Sequence, residues 1–380
     1  MAGCRRAVTD ERPAPPAEAE RDPPLAQALL RLLPLLLAAA GAGWVFERLG
    51  VPLPWMIGPL VLTAVLSVTG LIRPHVPNRI RAGGQIVVAC QVGLAFSPEA
   101  LAQMVALGPY LVGTTLLTLA SVGATAVIMA RLTGQGLAQW FLGMVPTSPV
   151  EAATIALKSG IAPMQVVLAQ SLRLAAVVIV VPVAIYTIEG WPTGNGRAGM
   201  DLAAAFDPLD VVVLAALGLG SAGLMRLTRL SNPNFLGPLA VTAVLAGLGL
   251  GVTPFPDLVF ALAQIVLGTW LGATFKPDFL RSGVRDLIST LGATLLLLAL
   301  CSLAAAGLAH LAGHNWREFV LGAAPGGVAE MALTAKYLGQ DVALIAAFHV
   351  TRIFILMPNI PWIVALIHRY ETRRHGAPPH

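Results

Sequence analysis

Apolar runs long enough to cross a membrane recur along almost the whole chain, each closed by a short break rich in Gly, Pro, Asn or Arg. About 20 helical residues span a hydrocarbon core of ~30 Å, so the pattern predicts a polytopic helical membrane protein. Runs near 25–47, 51–72, 79–97, 101–131 and 163–187 form one set, and runs near 209–228, 234–252, 258–276, 284–312 and 341–367 a second. Between the fourth and fifth run of each set lies a broken element, 136–160 and 315–339. Each half of it has about ten residues, too few to cross alone. We expect each to be a re-entrant hairpin.

The two sets are copies. Ile-Gly-Pro-Leu-Val-Leu-Thr-Ala-Val at 57–65 returns as Leu-Gly-Pro-Leu-Ala-Val-Thr-Ala-Val at 236–244, and the glycines differ by 237 − 58 = 179. The same offset pairs Gln85 with Gln264, Gly93 with Gly272, Pro146 with Pro325, Glu151 with Glu330 and Arg173 with Arg352. A register held without a gap by Gly, Pro and charged residues, rather than by interchangeable aliphatics, marks an internal duplication.

Five crossings per copy would invert the second copy relative to the first. The positive charges support this if both termini are cytoplasmic. Inner segments then receive Arg5, Arg6, Arg12 and Arg21, the trio Arg73, Arg79 and Arg81, then Arg131, Arg226, Arg229, Lys276, Arg281 and Arg285, and finally Arg369, Arg373 and Arg374. Outer segments receive Glu99, Glu189, Asp201, Asp207 and Asp257; Arg48 and Arg317 break the pattern, each beside a glutamate. The expected fold is an all-α membrane protein of two inverted repeats of five transmembrane helices, each with a re-entrant hairpin. The expected division is a disordered tail at 1–24, repeat 1 at 25–187, an extracytoplasmic linker at 188–208, repeat 2 at 209–368 and a cytoplasmic tail at 369–380.

Composition agrees with a lipid solvent. Of 380 residues 56% are hydrophobic and 11% charged, against roughly 25% charged in soluble domains. The net charge of +5 comes from arginines in tails and loops, which read as topology signals rather than a nucleic-acid footprint. Cys4, Cys90 and Cys301 are far apart and form no CxxC, so neither a disulfide framework nor a zinc site is expected.

Paired backbone breaks at membrane depth are the sequence mark of a transporter site near the midplane. They fall at Pro146, Thr147 and Ser148 before Glu151, and at Pro325, Gly326 and Gly327 before Glu330. The spacing of Ser148 and Glu151 is also that of a capping box. Arg173 and Arg352 lie mid-way along the last span of each copy, and each follows its glutamate at the same spacing. Glu151–Arg173 and Glu330–Arg352 are therefore the expected ion pairs. Helix N-termini there suit an anion and the glutamates a cation or proton, and the residues leave both readings open. His349, one turn before Arg352, replaces Gln170 of the first copy; it reads as an interhelical hydrogen bond or a proton-coupling group. Gln85 and Gln264 read as helix-packing or path-lining residues.

At Pro-Trp-Met-Ile-Gly-Pro-Leu (54–60) and Pro-Gly-Gly-Val-Ala-Glu-Met (325–331), followed by His349, Arg352 and Pro361-Trp362, the chain resembles the AbrB-type membrane proteins. That family carries an AbrB duplication and has borne the labels ammonia monooxygenase and membrane regulator. The resemblance implies a duplicated membrane unit over roughly residues 30–370. The seven histidines form no ligand cluster and no dinucleotide fingerprint is present, so no enzyme, metal or cofactor is expected. The segments outside the spans are too small to read DNA directly. The expectation is a carrier of a small-molecule solute, with a coupling ion, in the inner (plasma) membrane. Its alternative is a membrane sensor that regulates gene expression indirectly. Small residues in several spans allow a homodimer.

Overall fold

The computed structural model describes residues 25–189, 207–228, 230, 232–277 and 283–375. The expected tail at 1–24, most of the linker at 188–208 and the last five residues of the C-terminal tail lie outside them. The described residues form an all-helical protein. The first copy contains α1 (Leu25–Arg48), α2 (Pro54–Val68), α3 (Asn78–Gly93), α4 (Pro98–Ala106), α5 (Gly108–Thr133), α6 (Leu137–Met144), α7 (Pro149–Lys158) and α8 (Pro163–Glu189). The second contains α9 (Pro208–Arg226), α10 (Pro233–Gly247), α11 (Asp257–Ala273), α12 (Val284–Ala312), α13 (Trp316–Ala323), α14 (Val328–Tyr337) and α15 (Val342–His375).

The duplication carries through to the helix ends. For α2 and α10, 233 − 54 and 247 − 68 both equal 179, and the pairs α6/α13 and α7/α14 coincide at both ends under the same shift. Packing is reciprocal as well: α2 lies on α11 while α3 lies on α10, and α5 lies on its own counterpart α12. Even an unusual backbone angle repeats. Leu53 (φ 49°) and Asn232 (φ 56°), which precede α2 and α10, are the non-glycine residues with positive φ among those described. Left-handed backbone is uncommon for leucine, and here it turns the chain into Pro54.

Among the described residues six helices are long and apolar enough to cross a membrane: α1, α5, α8, α9, α12 and α15. The runs expected near 51–72, 234–252 and 258–276 are realised as shorter helices, α2, α10 and α11. Fifteen residues at 1.5 Å each reach only about 22 Å. Such lengths are tolerated where other helices surround the backbone, and Met56, Ile57, Leu60, Phe235 and Leu239 of α2 and α10 are buried. The run expected at 101–131 also differs. It begins as a separate helix, α4, capped by the Ser97 hydroxyl accepting from Ala100 N–H and bent 86° from α3. The last helix continues through His375 rather than ending near 367.

With lipid outside, hydrophobicity alone does not pull helices together, and close backbone approach does. A Cβ on Gly93 would lie 2.7 Å from the Leu239 carbonyl oxygen, and one on Gly272 2.6 Å from that of Leu60. These equivalent glycines set the α3–α10 and α2–α11 contacts. Buried Thr115, Thr118, Thr242 and Thr294 satisfy their hydroxyls on carbonyls four residues back, at 2.8–3.0 Å. Leu30, Leu116, Leu219 and Leu303 face outward.

Candidate functional site

Both broken elements form. In the first, α6 ends at Met144 and α7 starts at Pro149, with Ser148 as N-cap accepting from Glu151 N–H at 3.2 Å. In the second, α13 ends at Ala323 and α14 starts at Val328, with Gly327 at the cap. A glycine cap has no side-chain acceptor, and a Cβ there would meet the Glu330 carboxyl group, its Cδ 2.9 Å away. Glu330 therefore folds over its own helix start, whereas the Glu151 carboxylate accepts from the Thr147 hydroxyl at 2.9 Å.

The freed carbonyls at each break are held by the last helix of the same copy. Arg173, only 1% exposed, donates to the carbonyls of Met144 (3.0 Å) and Thr147 (3.3 Å) and to Gln170 Oε1 (2.8 Å). Arg352, 4% exposed, donates to those of Ala324 (2.7 Å) and Gly326 (2.6 Å) and to His349 Nδ1 (2.8 Å). A guanidinium suits this work because it carries several donors in a fixed fork and no acceptor. The expected ion pairs Glu151–Arg173 and Glu330–Arg352 do not form. Each arginine reaches the end of the first half-helix, while each glutamate stays with the start of the second. The cations that act most on Glu330 are Arg81 and Arg173, both of the other copy.

His349 does what Gln170 does. Gln170 donates to the Leu142 and Val145 carbonyls and accepts from Arg173; His349 presents Nε2 to the Leu321 carbonyl at 3.0 Å and accepts from Arg352 at Nδ1. A carbonyl needs a donor and a guanidinium an acceptor, which specifies the neutral Nε2–H form. The ring is fully buried. Of the two readings of His349, the interhelical hydrogen bond is the one its geometry matches.

Between the two breaks lies a cavity of about 400 Å³. Pro146, Thr147, Ser148, Glu151 and Arg173 line it from the first copy, and Gly326, Gly327, Glu330 and Arg352 from the second, with Gln85 beside them. Pro325 and His349 are not among its lining residues, although His349 accepts from the lining Arg352. Gln264 lies elsewhere, in a second cavity of about 100 Å³ with Leu53, Trp55, Asp257, Phe260 and Lys336. Lys336 sits 4.3 Å above the Phe260 ring, and Asp257 is its electrostatic neighbour.

The family model described as "Transition state regulatory protein AbrB" matches the chain twice, over residues 6–189 and 159–368. The chain belongs to the AbrB family. The ends of the two matches, at 189 and 368, are separated by the repeat interval itself. Among curated relatives, "Uncharacterized protein YhjN" of Bacillus subtilis is 24% identical over 374 residues, covering 91% of this chain and 95% of that protein. "Putative regulator AbrB" of Escherichia coli is 24% identical over 356 residues, covering 93% of this chain and 99% of its own.

Reading the chain by its breaks misses four polar residues of the cavity: Asn78, Arg81, Asn232 and Asn234. Arg81 is the instructive one. Grouped with the loop arginines as a topology signal, it instead lies half-buried with its guanidinium 3.7 Å from the centre of the Trp270 ring. Its place one turn before Gln85, on the same helix face, is the signal that could have revealed it. Among the described residues no group of three or more His, Cys, Asp or Glu side chains could hold a metal ion.

Proposed function

We propose that the protein is a secondary carrier of a small solute, working by alternating access at the cavity between its two hairpins. The observation that carries this reading is the cavity itself, where two broken helices from the two copies converge at equivalent positions. A volume of about 400 Å³ is within the range of small-molecule sites. Half-helix N-termini meeting there follow the physical logic of transporters built from repeats. No bond-making chemistry is required of these residues, and an ion gradient would supply the driving force.

The placement of the two cavities supports inversion of the copies. Asn232 and Asn78, at the starts of α10 and α3, line the larger cavity; their repeat partners Leu53 and Asp257, at the starts of α2 and α11, line the smaller. Equivalent helix starts at different cavities are what an inverted duplication of five crossings per copy produces, with the short helices α2, α10 and α11 and the bent α3–α4 unit completing the ten. On the positive-inside reading with cytoplasmic termini, the larger cavity faces the cytoplasm of an inner-membrane protein. The smaller one marks the closed outer path, where Lys336 and Phe260 stand.

The rival is a membrane sensor that binds a solute without moving it, in keeping with the word "regulator" in a relative's name. Thermal stabilisation by a panel of small amines, carboxylates and metal ions, on wild type and Glu330→Gln, identifies a ligand for counterflow in proteoliposomes. Exchange of labelled ligand supports the carrier; saturable binding without exchange supports the sensor and overturns the carrier.

A further inference from the structure

We infer that the cavity between the hairpins binds a small organic monoanion, a carboxylate on an apolar body, anchored by Arg81 against Trp270. This rests on the reading of that cavity as the solute site. The cavity holds three cations, Arg81, Arg173 and Arg352, and two carboxylates, Glu151 and Glu330. Four of the five are committed or held. Arg173 and Arg352 spend their terminal nitrogens on carbonyls and on Gln170 and His349. Glu151 accepts from Thr147, and Glu330 is folded over Gly327.

Arg81 is different. Among the described residues no hydrogen bond engages it, its Nε is buried without an acceptor, its guanidinium lies over the indole face of Trp270, and the carboxylate that acts on it is Glu330. A guanidinium held over a ring face spends no N–H hydrogen bond on a carbonyl or carboxylate there, so its donors remain available to a carboxylate ligand. The Nε–H groups of Arg173 and Arg352, two residues of the same lining, are likewise buried without an acceptor. Of the three lining arginines Arg81 is therefore the one whose donors are not spent on the protein, and it calls for a ligand that accepts hydrogen bonds. The starts of α7 and α14 add their positive dipole ends.

The count of charges sets the ligand's charge. With every group in its ionised form, three guanidinium groups against two carboxylates leave one positive charge, which a monoanion neutralises; a dianion would place its second charge against Glu151 or Glu330. Leu174, Leu267, Val328, Ile353 and Met357 supply an apolar lining, so the body of the ligand is apolar. In the smaller cavity the position of Arg81 is taken by Phe260, and Lys336 lies over that ring beside Asp257. Each half of the path thus carries one cation on an aromatic face, Arg81 near Glu330 in the larger cavity and Lys336 near Asp257 in the smaller.

The test uses the full-length protein in detergent at constant salt, with sodium acetate and sodium benzoate as probes and benzamide, benzylamine and terephthalate as neutral, cationic and dianionic controls. Thermal unfolding should respond to the monoanions, and Arg81→Gln should weaken their apparent affinity at least tenfold while Arg81→Lys weakens it less. Phenylglyoxal modification of wild type, read by peptide mass spectrometry, needs no variant: acetate or benzoate should protect Arg81. Failure of both to protect it overturns the anion assignment. Equal binding of benzamide or benzylamine to wild type and Arg81→Gln overturns it too, yet leaves the cavity as a solute site. If no probe of any charge binds and counterflow is also absent, the carrier reading falls with it.

Discussion

Replacing Arg173 by alanine removes three hydrogen bonds at once and leaves the Met144 and Thr147 carbonyls of the first break facing a protein interior. A buried group left without its partner costs about 1–3 kcal/mol, so two orphaned carbonyls give about 2–6 kcal/mol before any cavity term. Glu151→Gln is a much smaller change. The glutamine oxygen can still accept from the Thr147 hydroxyl, and Ser148 still caps α7, so the loss should stay under about 1 kcal/mol. Because arginine and glutamate form no ion pair and meet only through Thr147, the double variant should show a coupling below about 1 kcal/mol. Reversible unfolding in mixed micelles, followed by tryptophan fluorescence, measures all four corners of this cycle. A coupling of several kcal/mol, or equal losses from the two single variants, would refute the arrangement and restore the ion pair.

Other consequences are quicker to check. His349→Gln copies the chemistry of Gln170 and should keep unfolding stability within about 1 kcal/mol of wild type, whereas His349→Leu abandons both partners and should lose about 2–4 kcal/mol. Gly93→Val and Gly272→Val should each separate a helix pair and lower the thermal midpoint by several degrees, while Gly123→Val, with open space at its Cβ position, should leave it unchanged. Glu371, near the end of α15, accepts from the Leu137 and Ala138 amides at the start of α6, so Glu371→Ala should cost about 0.5–2 kcal/mol in the same unfolding assay.

Much of the fold could be read from spacing because the duplication repeats the punctuation as well as the apolar runs. Pro54 and Pro233, Gly143 and Gly322, and the breaks at Pro146 and Pro325 mark helix ends that the structure keeps at the same offset. What spacing does not carry is side-chain direction. The matched spacing from glutamate to arginine says that α7 and α8 can bring Glu151 and Arg173 near, not that the guanidinium will turn to the carbonyls on the far side of the break. Depth is misread for a related reason. Arg81 stands close to the start of α3, where a charge resembles a loop signal, but the short helices around it admit a cavity to that level, and Trp270 comes from α11 of the other copy. Ser97-Pro98-Glu99 is a legible helix start, and the continuous apolar run beyond it conceals that α4 bends away from α3.

The claim on which the rest depends is that equivalent points of the two copies lie on opposite sides of the membrane. Leu71, after α2, and Leu250, after α10, are repeat partners in loops and are 73% and 53% exposed. In a background without Cys4, Cys90 and Cys301, Leu71→Cys and Leu250→Cys would be treated with a membrane-impermeant maleimide in intact and in permeabilised cells. The account predicts that Leu250→Cys is labelled in intact cells and Leu71→Cys only after permeabilisation. Labelling of both from the same side would contradict the inverted arrangement and the alternating-access carrier built on it.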